Sequence, residues 1–334
     1  MKHGLWLLIC ALLVSLCSAP VTRAAGTTYY VSMTSGADSN NGLSTATSFK
    51  TIAKVNALNL QPGDQILFKC GDVWRGEMLM ITDSGASANP IVFGSYPTSD
   101  CANKPILSGA QAVSGWSAYS GQIYVATLSA ATFPNGLNQL FRNGQRLTFG
   151  RWPNLDAGDG GYATVSAQPA VNQLTSALSL PAGNWKDATI HLKVIRWSMV
   201  NRDITAQNGS TLTLNANVSC PYTANCTGWG FFINNSLNAL DRDGEWWYDK
   251  TNRKVYLYST TNPNSATIEG SVILKTDDRN WGAINLGTDL YDPAHDVVVD
   301  NFEIRDWFRS GIVSPTNLHP DENSALTFRN NAIR

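Results

Sequence analysis

Tyr29-Tyr30-Val31-Ser32 opens, and Gly109 closes, the stretch that decides the fold. Within it, Gln65-Ile66-Leu67-Phe68-Lys69-Cys70 alternates so that Ile66, Phe68 and Cys70 face one way, the period of a half-buried strand. Further apolar centres follow at Leu79, Val92 and Ile106, in steps of 13, 13 and 14 residues from Ile66. Such a step is too short for a strand, a crossover helix and a second strand. Its regularity predicts a chain that winds from one short strand to the next. Gly36-Ala37-Asp38-Ser39-Asn40-Asn41-Gly42 reads as a turn. After it, Ser48 is placed to cap a short helix whose apolar side is Phe49, Ile52 and Val55, covering the open end of the winding.

Past Gly109 the texture changes. Leu140-Phe141-Arg142-Asn143-Gly144-Gln145-Arg146-Leu147 carries the Asn-Gly signal of a tight hairpin. Ile190 to Val194 leads through Asn208-Gly209 to Thr211-Leu212-Thr213-Leu214, and Glu245-Trp246-Trp247-Tyr248 faces Lys254-Val255-Tyr256-Leu257-Tyr258 across a polar turn. These hairpins predict an inserted antiparallel β module over residues 110–270. The winding then resumes over 271–334. Val297-Val298-Val299-Asp300-Asn301-Phe302-Glu303-Ile304-Arg305 aligns with Leu326-Thr327-Phe328-Arg329-Asn330-Asn331-Ala332-Ile333-Arg334 at a constant offset of 29 residues. A period of that length with apolar, strand-forming positions fits stacked coils. The expected organisation is an export signal at 1–24, a cap and first strands at 25–109, the module at 110–270, and resumed coils at 271–334. Because Arg334 falls on the last residue of the second repeat, these coils are expected to be the first part of a longer protein.

Composition narrows the class. The 334 residues carry 15% charged side chains and a net charge of −1, which gives no basic surplus for nucleic acid. Lys2 and His3 precede an apolar run from Leu5 to Leu16 that is too short to span a bilayer, and Thr22-Arg23-Ala24 offers a cleavage site. A secreted, extracellular or periplasmic monomer without a membrane span is expected. Of six cysteines, Cys10 and Cys17 leave with the signal. Cys70, Cys101, Cys220 and Cys226 remain and allow three pairings. The short loop between Cys220 and Cys226 favours a local staple, and Cys70 with Cys101 would then join neighbouring turns.

Together these residues resemble the N-terminal signature of secreted right-handed parallel β-helix proteins, the superfamily of pectate lyases and of several glycoside hydrolases. The likeness rests on Tyr29 to Gly76, on Asn89-Pro90-Ile91-Val92-Phe93, on Lys104-Pro105-Ile106-Leu107-Ser108-Gly109 and on Val297 to Ile312. Segments similar to Phe141 to Arg146, Arg151-Trp152-Pro153-Asn154 and Gly244 to Tyr248 occur in the inserted modules of such proteins. The resemblance implies an all-β solenoid, a right-handed parallel β-helix with a short N-terminal capping helix and an inserted antiparallel module. It implies a polysaccharide or cell-surface glycan as partner, and calcium as the one conceivable cofactor. It transfers no catalytic residue to a numbered position.

Candidate chemistry therefore comes from the residues themselves. Glycoside hydrolysis needs two carboxyl groups, one of them protonated. Asp277 with Asp278, and Asp300 with Glu303 and Asp306, lie on the resumed winding. A turn explains the first pair equally well, and an ion pair between Glu303 and Arg305 explains part of the second. Trp152, Trp246 and Trp247 are candidates to stack on sugar rings, against core packing as the competing role. His191, His295 and His319 have no serine or cysteine partner in a nucleophile motif. Cysteines far from histidine argue against a metal site, and no calcium-loop pattern is present. Three classes follow: a polysaccharide-degrading enzyme (lyase or glycoside hydrolase), a non-catalytic glycan-binding or cell-surface protein, and an adhesive repeat protein.

Overall fold

The computed structural model describes residues 26–157, 159–277, 279, 281–287, 294–314 and 325–334. The expected export signal, Asp278 and His319 lie outside the described residues.

Among the described residues, three of the six sheets are wholly parallel. The first runs Thr28–Val31, Gln65–Lys69, Ile91–Tyr96, Val297–Asp300 and Leu326–Arg329 in spatial order. The second holds Val73–Arg75, Ile106–Ser108, Glu303–Arg305 and Ala332–Ile333, and the third Leu79–Ile81, Gly282–Leu286 and Ser310–Val313. From Gln65 the chain visits first, second and third sheets in turn, then the first and second again, and after residue 281 it continues in the same order. Ile66, Phe93 and Val299 sit in register and are essentially fully buried. Each such side chain contributes on the order of 2 kcal/mol by leaving water. The 29-residue offset is a pairing: Val297 lies beside Leu326 and Ile304 beside Ile333. Ile304 is buried, whereas Ile333, on the edge strand, is 58% exposed.

The antiparallel half differs in kind. Ala163–Ala167, Gln173–Ser176, Thr211–Leu214, Ser198–Asn208, Thr189–Ile195 and Gly230–Asn234 close into a six-strand barrel. Closure occurs because Gly230–Asn234 pairs with both Ala163–Ala167 and Thr189–Ile195. Side chains fill the interior, as a small barrel requires: Val165, Leu174, Ile190, Leu192, Ile204, Leu212, Phe231 and Ile233 are all buried. Two further sheets support it. One contains Glu245–Asp249 and Lys254–Tyr258, the other Leu137–Arg142 and Ile268–Val272, and they share a third core around Trp116, Phe133 and Trp246. The Asn143-Gly144 turn has positive φ at both residues (52° and 75°), the geometry for which Asn-Gly is suited.

Two expectations are corrected. The fold is all-β, but it is not one right-handed parallel β-helix solenoid with a module attached. Among the described residues, twelve strands lie in the parallel sheets and sixteen in the others, including the closed barrel. The regular 13-residue step misled because it is not a repeat of one strand. Val73–Arg75 lies inside the first step, and the centre at Val92 sits one residue from the buried Ile91 and Phe93. Nor does Ser48 cap the helix. The helix is Ile52–Asn56, and the Thr51 side chain accepts from the Lys54 amide at 3.1 Å. Ser48 is itself buried and still extended, three residues too early.

Candidate functional site

A cavity of about 670 Å³ opens where the barrel meets the Glu245–Asp249 strand. That is the size range of small-ligand clefts. Its barrel wall comes from Asn184 to Asp187, before the strand Thr189–Ile195, and from Asn235 to Asn238, after Gly230–Asn234. The opposite wall comes from Trp247 to Asn252, at the hairpin leading to Lys254–Tyr258.

Local hydrogen bonds hold each wall. The Ser236 hydroxyl accepts from the Asn238 amide at 3.2 Å and caps a single 3-10 turn, and Asn238 Nδ2 donates to the Asn184 carbonyl at 2.7 Å. Across the cavity Asp249 accepts from the Asn252 backbone at 3.0 Å and from its Nδ2 at 2.7 Å, closing the hairpin. Burial pulls Asp249 upward, but the bonds from Asn252 and Thr251 outweigh it and hold the carboxyl below its usual range. Trp247 joins the two walls. Its Nε1 donates to Asn235 Oδ1 at 3.0 Å, and its ring stacks on Tyr256 with centroids 5.2 Å apart and planes 22° from parallel. A smaller hollow of about 280 Å³ shares Asn235, Tyr248 and Lys250 with this cavity. An aromatic face ringed by amides, with Lys186, Asp187 and Lys250 among the lining residues, suits a polar ligand with an apolar edge.

A second constellation stands on the second parallel sheet. Arg75, Ser108 and Arg305 are in register, and Arg75 pairs with Glu269 at 2.6 Å. Arg305 approaches Glu303 at 3.7 Å and Asp306 at 3.6 Å. Burial raises the Asp306 pKa; Glu269 and Glu303 add to that, while Arg305 and Arg75 oppose it. The backbone here is closely packed. Ser271 Oγ donates to the Asp306 carbonyl, and a Cβ on Gly109 would lie 2.6 Å from that same oxygen. Only glycine fits at 109. The arrangement groups an acid whose pKa burial raises with two arginines and two further carboxylates.

The sequence candidates separate accordingly. Glu303 and Asp306 fall in this cluster. Asp300 does not: it is buried and accepts from Arg329 Nε and Asn330 Nδ2, both at 2.9 Å, which ties one repeat to the next. Asp277 is exposed, its pKa lowered first by the hydrogen bond from Trp281 Nε1 at 2.5 Å. Trp152 packs in the barrel core against Trp185 and Phe231, and Trp246 packs edge-on against Phe149. Only Trp247 of the three reaches the cavity. Cysteines 70 and 101, and 220 and 226, are joined as disulfides. Among the described residues no group of three or more His, Cys, Asp or Glu side chains is arranged to hold a metal ion. The sequence reading missed Arg75, Glu269, Asn235 and Asn238. Glu269 had a signal, since it is the lone acid in the otherwise apolar or small Ile268–Val272.

No family model matches the chain. A curated lacto-N-biosidase of Bifidobacterium longum subsp. longum is 38% identical over 90 residues, which are 26% of this chain and 6% of that protein. A solved structure described as a glycoside hydrolase superimposes with a TM-score of 0.63 at 19% identity, covering 85% of this chain and 51% of the other. A solved GH136 lacto-N-biosidase from Eubacterium ramulus is 33% identical over 26% of this chain and 14% of its own, with a TM-score of 0.22. The chain thus spans about half the length of the first structure and a small part of the curated relative. The likeness at 0.63 is one of fold. These names are those of hydrolases, so the expected pectate-lyase likeness has no support among them.

Proposed function

We propose that this is a secreted carbohydrate-active protein of the glycoside hydrolase kind, and that the chain binds glycan in the cavity beside Trp247. The observation that carries the reading is Trp247 itself. It is fixed by Tyr256 behind and Asn235 beside it, in a cavity with amide side chains on both walls. A pyranose offers the complement: an apolar C–H face for the ring and hydroxyls for the amides. The hydrolase names of the similar proteins agree with that partner class. Two disulfides fit an oxidising compartment, and among the described residues no helix is long and apolar enough to cross a membrane. The test is calorimetric titration with a panel of neutral and acidic oligosaccharides, for the protein and for Trp247→Ala. Loss of binding in the variant, with unchanged thermal unfolding, supports the reading. Equal binding by the variant refutes it.

The Asp306 cluster favours a second reading, hydrolysis by this chain. Asp306 would protonate the glycosidic oxygen, and Glu269, paired with Arg75, would serve as base or nucleophile. Reducing-end release that vanishes in both Asp306→Asn and Glu269→Gln, with glycan binding retained, is the expected result. Turnover that persists in Asp306→Asn removes this assignment and leaves the binding reading standing.

A further inference from the structure

The barrel carries a second ordered surface that neither reading uses. Along Thr189–Ile195 the buried positions are Ile190, Leu192 and Val194, so Thr189, His191 and Lys193 face outward. On the neighbouring strand Phe232 and Asn234 do the same, in register with His191 and Thr189. A line of contacts leads from the cavity onto this face. Trp247 Nε1 bonds Asn235, Asn235 Nδ2 reaches Thr189 Oγ1 at 3.5 Å, and Asn234 Oδ1 lies 2.9 Å from His191 Nε2. His191 then stacks on Phe232 with centroids 4.4 Å apart and planes within 7°. Phe232 meets Tyr162 edge-on at 6.0 Å. From Thr189 to Lys193 the strip runs about 13 Å.

Its two cations stand over its aromatic rings. Lys193 Nζ sits 3.6 Å from the centre of the Tyr162 ring, and the Arg151 guanidinium 4.0 Å from that of Phe232. Arg151 is held by the carbonyls of Pro153 and Gly161. Burial is the largest influence on it and draws its pKa down, against Tyr162 and Glu245. Among the described residues neither cation has a carboxylate at salt-bridge distance. Two acids border the strip: Asp203 accepts from Thr189 Oγ1 at 3.2 Å at the cavity end, and Asp159 lines the small cleft that Tyr162 also lines. A cation lying over a ring keeps donors free for an anion. Two such cations beside aromatic faces complement a sugar chain that carries negative charge at intervals. Lys193 offers a single point charge, which suits one carboxylate rather than the dense charge of a sulfated polymer.

We infer that the outer face of the barrel, from Thr189 to Lys193, extends the Trp247 cavity into a groove for a carboxylate-bearing glycan, with Lys193 and Arg151 selecting the charge. The inference rests on the cavity being a glycan site. The full chain is titrated with oligogalacturonate, with its methyl ester, which has the same rings without the charge, and with a sulfated oligosaccharide. The acid form is expected to bind about fivefold more tightly than the ester at low salt, the worth of one exposed charge pair, and the ratio should shrink as salt screens it. Lys193→Gln should lower the ratio, leaving the share that Arg151 supplies, and Lys193→Arg should keep it, with thermal unfolding as the check on folding. Equal binding of acid and ester, or an unchanged ratio in Lys193→Gln, overturns the inference while the cavity reading stands. Preference for the sulfated probe overturns the carboxylate assignment. No binding by any probe overturns the cavity reading, and the inference falls with it.

Discussion

Trp247, on the strand Glu245–Asp249, and Asn235, just past the end of Gly230–Asn234 and twelve residues earlier, are joined by a 3.0 Å hydrogen bond that fixes the indole at the cavity wall. Asn235 sits at φ 57°, in the left-handed region that Asn tolerates and most side chains avoid. The bond therefore depends on a backbone conformation as well as on a side chain.

Asn235→Gly keeps that conformation and removes the amide. The variant is expected to fold with little change in its unfolding temperature and to bind glycan about fivefold more weakly, the worth of one hydrogen bond of about 1 kcal/mol. Calorimetric titration alongside the unaltered protein checks it. Unchanged affinity would mean that Tyr256 alone orients the ring.

Glu245 precedes Trp246 and Trp247, is nearly fully buried, and accepts from the Asp241 and Arg242 amides at 3.0 and 3.2 Å. Burial is the largest influence and lifts its pKa from 4.5 to about 7; the charge of Asp241 adds to this, and the backbone hydrogen bonds oppose it. The sign follows. Between those two values the folded state holds a proton that the unfolded chain has released, so stability falls as pH rises through this window. The loss is on the order of 3 kcal/mol. Urea unfolding between about pH 5 and 8 should show that decline, and Glu245→Gln should flatten it. A parallel decline in the variant would assign the effect to another group.

The Cys220–Cys226 disulfide closes a short loop whose two cysteines are both buried with the barrel core. Replacing both with serine should destabilise the barrel by about 2 kcal/mol in the loop-entropy account. Denaturant unfolding followed by near-ultraviolet circular dichroism measures it. No change would mean that the barrel's packing alone holds the loop.

Local signals were legible in the sequence and closure was not. Asn143-Gly144 announced its turn, and the 29-residue offset announced the pairing of Val297 with Leu326. The barrel exists because Gly230–Asn234 joins strands that lie some forty to seventy residues earlier, and no local pattern records such a partner. Trp246 and Trp247 show the same limit at the site. Alternation sends them to opposite faces, but which face holds a core is decided by Phe149 and Tyr256. Asp300 read as a candidate acid, yet Arg329 and Asn330 of the next repeat claim it. Glu269 stands out only once the fold brings Arg75 across to it from nearly two hundred residues away.

The most direct test is a crystal structure of the protein soaked with an oligosaccharide that binds it in solution. The account predicts a sugar ring stacked on Trp247, with its hydroxyls within hydrogen-bond distance of Asn238 or Asn252. A glycan bound elsewhere, with the Trp247 cavity holding only water, would contradict it.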